Sequence, residues 1–286
     1  LQYNALAFVA SNTDCAFFSK RRYQKVRIIE VLLGKYASVA QLDRALASEA
    51  KGRGFKSRRA YFLPLLCVMG ISRILIAYME ILFEGAADFR SRVFDKNKAL
   101  FHKLSNDQNP HTLFIGCSDS RVVPDLITRT LPGELFVVRN IANVVPYYRL
   151  TSEYLSTTSA IEYAIKVLNV GNVIICGHSN CGGCKALSLS EDEMADIPHT
   201  RNWLKLARNA QTKAEKIFRD GKTDKPMTEL VEQINIVEQM GHLVTWPFVK
   251  ERLDAGTLNI YGWFFEISCG TIYNYDFESR TFKIIE

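Results

Sequence analysis

Two apolar runs, Thr112-Leu-Phe-Ile-Gly116 and Asn172-Val-Ile-Ile-Cys176, constrain this chain more than any other feature. Each is short and almost uninterrupted, the pattern of a parallel strand covered on both faces. Between them lie a third strand-like run, Glu134-Leu-Phe-Val-Val-Arg-Asn140, and a helical stripe of Leu155, Ala160, Ile161, Ala164, Ile165 and Leu168 within 153–168. Asn169 to Gly171 closes that helix. Strand, helix, strand makes a right-handed crossover unit. Downstream, the patterns predict helices over 184–189, 199–220, 227–241 and 245–255. A strand over 258–267 follows, then a turn at Gly270 and a returning antiparallel edge strand over 271–276. The expected fold class is α/β: a mostly parallel central sheet with flanking helices and an antiparallel edge strand.

The chain before this body has a different character. Residues 1–78 carry 13 Lys/Arg against 4 Asp/Glu, whereas the remaining residues carry 23 against 26. The basic character behind the pI of about 8.9 therefore belongs to the N-terminal quarter, and the main body needs no polyanion partner. Lys20-Arg21-Arg22 and Lys56-Ser-Arg58-Arg59 are isolated basic knots, and the apolar residues fit at best a short helix around Ile28–Leu33. Residues 38–60 closely resemble the peptide obtained when a transfer-RNA gene region is translated by mistake. Residues 1–78 are thus expected to be a poorly structured basic extension, and residues 1–68 or 1–78 an over-extended translation, with the real start at Met69 or Met79. The apolar stretch Leu63–Phe83 contains Arg73, Glu80, Pro64 and Gly70 and falls short of a membrane span of about 20 apolar residues. From Met79, Leu82, Phe83, Ala86, Phe89, Phe94 and Leu100 recur at helical spacing. Residues 79–108 are expected to form a helical arm on a single catalytic domain, 79–286.

Both central runs lead into polar, glycine-rich clusters: Cys117-Ser-Asp119-Ser-Arg121 and Gly177-His178-Ser-Asn-Cys181-Gly-Gly-Cys184. They lie beyond the carboxyl ends of parallel strands, where open α/β sheets bind ligands. Two thiols and an imidazole suit zinc, which takes soft sulfur and nitrogen donors in tetrahedral sites. Cys117, His178 and Cys181 leave one position for water, the catalytic arrangement. Cys184 as a fourth ligand would instead close the site as a structural zinc knuckle. Asp119 can orient the bound water, and Arg121 can keep that carboxylate ionised through a bidentate pair. If Arg121 lets go, Asp119 itself can take the open position. Of the seven cysteines, Cys176 and Cys269 are expected to be small buried hydrophobes. The odd count, in a chain too large to need a disulfide scaffold, points to a reducing, cytoplasmic compartment.

Taken together, Cys-Ser-Asp-Ser-Arg-Val-Val-Pro (117–124), residues 132–146, 159–164 and 174–184, Gly-Trp-Phe-Phe-Glu-Ile (262–267) and Tyr-Asn-Tyr-Asp-Phe-Glu-Ser (273–279) resemble the β-class carbonic anhydrases. The resemblance covers about 79–286. It implies one zinc per subunit held by Cys117, His178 and Cys181, with Asp119 a ligand in a closed form only. It implies reversible hydration of carbon dioxide to bicarbonate and a proton, with Asp119 and Arg121 as the catalytic dyad. It also implies a homodimer or a dimer-of-dimers tetramer, with the helical arm embracing the partner. Two thiolates weaken the acidifying effect of zinc on water, so hydration is expected to improve at alkaline pH. Val122, Val138, Ile141, Ala142, Val145 and Gly182 are candidates to line a narrow carbon dioxide site. Tyr147, Tyr148 and His242 are candidates to pass on the proton. Asn140 and Asn143 either arrange the cleft or cap turns, and Trp263 is expected in the packing. Two other readings use the same residues: a noncatalytic zinc-stabilised protein with a closed site, and an enzyme hydrolysing carbon disulfide or carbonyl sulfide.

Overall fold

The computed structural model describes residues 78–150 and 154–286. The expectations for residues 1–77 lie outside the described residues. By its contacts the chain divides into two units, Leu1–Asp88 and Phe89–Glu286. Of the first, residues 78–88 are described; they are helical and expose Tyr78, Met79, Leu82 and Phe83. The second begins with a π-helical turn, Phe89–Phe94, a 3-10 turn, Asp95–Asn97, and helix α1, Lys98–Leu104. The rings of Phe89 and Phe94 pack on Phe101 with centroids 5.8 and 5.3 Å apart. The periodicity over 79–104 is thus realised as helix of changing pitch, and none of residues 89–104 is buried.

Six strands form one sheet in the order β2-β1-β3-β4-β5-β6: β1 Thr112–Cys117, β2 Leu135–Asn140, β3 Asn172–His178, β4 Asn259–Glu266, β5 Thr271–Asp276 and β6 Thr281–Ile284. The first four in that order are parallel, and the β4–β5 and β5–β6 pairs are antiparallel. The antiparallel strand expected at 271–276 is β5, and β6 pairs on its outer side and takes the edge. The hairpin between them is tied by Asp276, whose Oδ1 accepts from the backbone N–H of Ser279 at 2.7 Å while Lys283 Nζ donates to its Oδ2 at 2.8 Å. A second difference matters more. The strands β1 and β3 run on through Cys117 and His178, which pair with Asn140 and Phe265. Those two residues belong to the strand ends rather than to the loops after them.

The remaining helices are α2 Pro124–Thr128, α3 Leu155–Glu162, α4 Gly182–Lys185, α5 Pro198–Leu204, α6 Arg208–Arg219, α7 Met227–Val244 and α8 Pro247–Asp254. The long helix expected over 199–220 is two helices joined by a 3-10 turn at Lys205–Ala207. One sheet face packs Leu113, Ile115, Val173 and Ile175 against Ile161 and Ile165, against Ile236, Met240 and Leu243 of α7, and against Trp246 and Val249. The other face carries Phe114, Val122, Ile174, Cys176 and Phe265. Trp263 is half-buried and packs edge-on against Phe114. Cys176 is buried as expected, but Cys269 is exposed. It lies in the turn between β4 and β5, where its thiol reaches Thr271 Oγ1 at 3.1 Å.

Helix α7 sits very close to the sheet, and two glycines permit it. A Cβ on Gly177 would lie 2.7 Å from Ile236 Cγ1, and one on Gly262 would lie 2.9 Å from Ile236 Cγ2. Ile236 is fully buried between these two strands. Ile236→Ala should therefore lower stability by about 2–5 kcal/mol, read from the urea midpoint at unchanged m-value.

Candidate metal centre

Three side chains converge over the ends of β1 and β3. The donor atoms of Cys117, His178 and Cys181 all lie within 4.8 Å of one another, and all three residues are buried. The two sulfurs are 3.9 Å apart. Their convergence follows from topology. The chain leaves β1 toward β2 on one side and leaves β3 toward β4 on the other, so a crevice opens between β1 and β3. Cys117 and His178 are the last residues of those strands, and the turn 179–181 returns Cys181 to them. Asn180 makes that turn with a left-handed backbone, φ 55°.

His178 tests whether the site fits a metal. Its Nδ1 lies 3.0 Å from the Ser179 carbonyl oxygen, which only accepts, so Nδ1 carries the proton. Nε2 then presents a lone pair, and it is buried with no hydrogen-bond partner. An acceptor without a partner at a fully buried residue is costly unless a ligand satisfies it. A metal between that nitrogen and the two sulfurs does so. Two thiolates and an imidazole select zinc, and the triad is a zinc-binding site. Hydrogen bonding from Cys181 and burial push the Cys117 thiol up to about 12. Contact with Cys117 pulls Cys181 down, but contact with Cys184 and burial outweigh it and push the thiol up to about 12. The two thiols therefore give up protons as the metal enters.

Asp119 and Arg121 stand at the mouth of the crevice. Arg121 donates through Nε to Asp119 Oδ1 at 2.9 Å and through Nη2 to Oδ2 at 2.8 Å, and its backbone N–H reaches Oδ1 at 3.0 Å. These hydrogen bonds from Arg121 hold the Asp119 carboxyl well below the usual carboxylate range. Asp119 Oδ2 lies 3.8 Å from His178 Nε2, so the carboxylate faces the place where a metal would sit. Arg139, on β2, fixes the same loop from behind. Its Nε donates to the Cys117 carbonyl at 3.0 Å and its Nη2 to the Asp119 carbonyl at 2.6 Å.

The residues named from the sequence do not all gather here. Ala142 packs in the cluster that contains Cys117, Cys181 and Cys184. Val122 lies with Phe114 and Phe265 on the other sheet face, whereas Val138 and Val145 pack in the core against α7 and α8. Ile141 is exposed and Gly182 opens α4. Asn140 caps a turn: its side chain exchanges hydrogen bonds with the backbone of Val144 at 2.7 and 2.9 Å. Asn143 is buried with φ 47° and leaves Nδ2 without a partner. His242 is buried, stacks on Tyr147 at 3.7 Å and bonds the Val145 carbonyl through Nδ1 at 2.7 Å. It lies ten residues along α7 from Glu232, about 15 Å by helical rise. Tyr148 packs edge-on against Trp246.

Of the polar stripe of α7, sequence reasoning named only His242. Glu232, Asn235, Gln239 and His242 are all buried on one side of that helix. Glu232 Oε1 accepts the Cys181 backbone N–H at 2.8 Å, and burial raises this carboxyl to about 7. Asn235 Nδ2 donates to the Ala142 carbonyl at 2.9 Å, and Gln239 Oε1 accepts from the Val145 backbone N–H at 2.8 Å. The spacing of three, four and three is the only local signal, and Thr228, Glu229, Gln233 and Glu238 on the same helix mask it.

The family model described as carbonic anhydrase matches residues 112–272. The chain belongs to the carbonic anhydrase family, in its β class. It is 41% identical to a carbonic anhydrase of Helicobacter pylori over 206 residues, which is 71% of this chain and 93% of that protein. A carbonic anhydrase of Pseudomonas aeruginosa is 36% identical, covering 71% of this chain and 90% of the relative. Among solved structures, the β-carbonic anhydrase CcaA superposes with a TM-score of 0.68 at 34% identity, covering 73% of this chain and 93% of that one. One of two tetrameric β-carbonic anhydrases from Sordaria macrospora superposes with a TM-score of 0.60 at 28% identity, covering 69% and 96%.

Zinc quantitation on purified variants checks the ligand set. Cys117→Ser, His178→Ala and Cys181→Ser should each lose stoichiometric zinc, while Cys184→Ser should retain it, because its sulfur is not among the donor atoms that converge.

Proposed function

We propose that this chain interconverts carbon dioxide and bicarbonate at the Cys117–His178–Cys181 centre, with Asp119 and Arg121 as the catalytic dyad. The observation that carries the reading is the bidentate Asp119–Arg121 pair held 3.8 Å from a buried, unpartnered imidazole nitrogen. Zinc at this site supplies a Lewis acid that lowers the pKa of a water molecule toward 7. Asp119 supplies direction. Its carboxylate stays ionised across the physiological range, so its free lone pairs accept a hydrogen bond from the reacting water or hydroxide and aim the oxygen at carbon. A carboxylate held so acidic does not retain the released proton, which passes on to buffer. Arg121 holds Asp119 in this pose beside the triad; were the pair to open, Asp119 Oδ2 could serve as a further donor to a metal held by Cys117, His178 and Cys181, which would stop turnover. Ala142, packed with Cys117 and Cys181, has the strongest support among the lining candidates.

The protein is proposed to work as a homodimer or a dimer of dimers. The exposed apolar residues Leu126, Leu131, Val137 and Ile141 near the β2 edge support an assembled form, as does the tetrameric state named for one similar structure. Among the described residues no helix is long and apolar enough to cross a membrane. The described cysteines are free thiols, which supports a reducing, cytoplasmic setting.

Rapid-mixing hydration assays on the zinc-loaded protein test the dyad. Asp119→Asn should lower turnover by about 10²–10⁴-fold with zinc content unchanged. Turnover equal to that of the parent would remove Asp119 from the reaction.

A further inference from the structure

The turn that delivers Cys181 contains one peptide unit gripped on both sides. The carbonyl of Asn180 accepts from Arg121 Nη2 at 3.1 Å, and the N–H of Cys181 donates to Glu232 Oε1 at 2.8 Å. These two groups belong to the same peptide bond. The Cys181 carbonyl is also tied, accepting from the Lys185 backbone N–H at 3.0 Å. With its backbone held on each side, Cys181 keeps only its own side-chain torsion. Asn180 makes the turn at φ 55°, in the left-handed region that few residues with a side chain adopt.

We infer that Glu232 is a positioning residue of the metal centre: with Arg121 it clamps the Asn180–Cys181 peptide and so sets the direction of the Cys181 sulfur. Glu232 is 4% exposed and lies on α7 beside Leu230, Val231 and Ile236. An apolar residue at such a position would cost nothing in desolvation, whereas a carboxylate does. The Cys181 N–H is the compensating contact. The clamp also joins two parts of the site. Arg121 holds Asp119 with the same Nη2 that holds the Asn180 carbonyl, so the peptide on which Glu232 pulls is the one that anchors the gate. Ligand-orienting partners of this kind typically change metal affinity by about 10–100-fold when lost.

The inference rests on the zinc reading of the triad. Two conservative variants of the full-length holoprotein separate the clamp from simple charge. Glu232→Gln keeps an acceptor oxygen at the same reach without the charge. Glu232→Asp keeps the charge but withdraws the acceptor by about one carbon–carbon bond, ~1.5 Å. Transfer of zinc to a colorimetric chelator should be about 10–100-fold faster for Glu232→Asp, and within about 3-fold of the parent for Glu232→Gln. With cobalt in place of zinc, the thiolate-to-metal absorption band should move in Glu232→Asp and hold its position in Glu232→Gln. The reverse ranking, or parent-like release from both variants, overturns the inference. A parent protein without stoichiometric zinc would remove the zinc reading itself, whereas a zinc-replete parent with the reverse ranking removes only the role of Glu232.

Discussion

The site depends on the parallel pairing of β1 with β3, in which Gly116 stands opposite Cys176. That register ends the two strands at Cys117 and at His178. A slip of one residue would shift one strand end along the other by about 3.3 Å, parting the imidazole from the sulfur. The strands β2 and β4 pair on the outer sides of β1 and β3, so the crevice stays between them. The short turn through Asn180 then has only to bring Cys181 back over the same point.

Helix α7 secures that arrangement. Its apolar side, Ile236, Met240 and Leu243, fills the groove left by Gly177 and Gly262 and fixes the helix to the sheet. Its polar stripe then reaches over the strand ends, with Glu232 on the Cys181 amide, Asn235 on the Ala142 carbonyl and Gln239 on the Val145 amide. Each of these backbone groups is buried, and a buried amide left without a partner costs about 1–3 kcal/mol. The same helix thus carries the packing of the domain and the shape of the metal-binding loops. A change in its apolar side is transmitted to the ligands.

Much of this was legible before any coordinates. The apolar runs named β1 and β3, and the spacing of Cys117, His178 and Cys181 named the triad that the fold brings together. What escaped was set by tertiary contact. Cys117 and His178 looked like loop residues, since a strand end is decided by its neighbours, here Asn140 and Phe265. The edge strand β6 is only four residues long and gives little alternation to read. Cys269 looked like a buried hydrophobe because its exposure depends on the turn at Gly270. Val138 and Val145 pack in the core cluster with Leu113 and Ile115, contacts that no local pattern announces. Glu232 was unreadable as a site residue: nothing local to a glutamate on a helix says which distant amide it will meet.

The central claim is that two sulfurs and one imidazole hold the metal, leaving the fourth position to be governed by Asp119. X-ray absorption at the zinc edge of the purified protein tests it most directly. The account predicts two sulfurs at about 2.3 Å and one imidazole nitrogen at about 2.0–2.1 Å, with an oxygen completing the shell. A third sulfur in that shell would bring Cys184 into the site, close the fourth position and contradict the account.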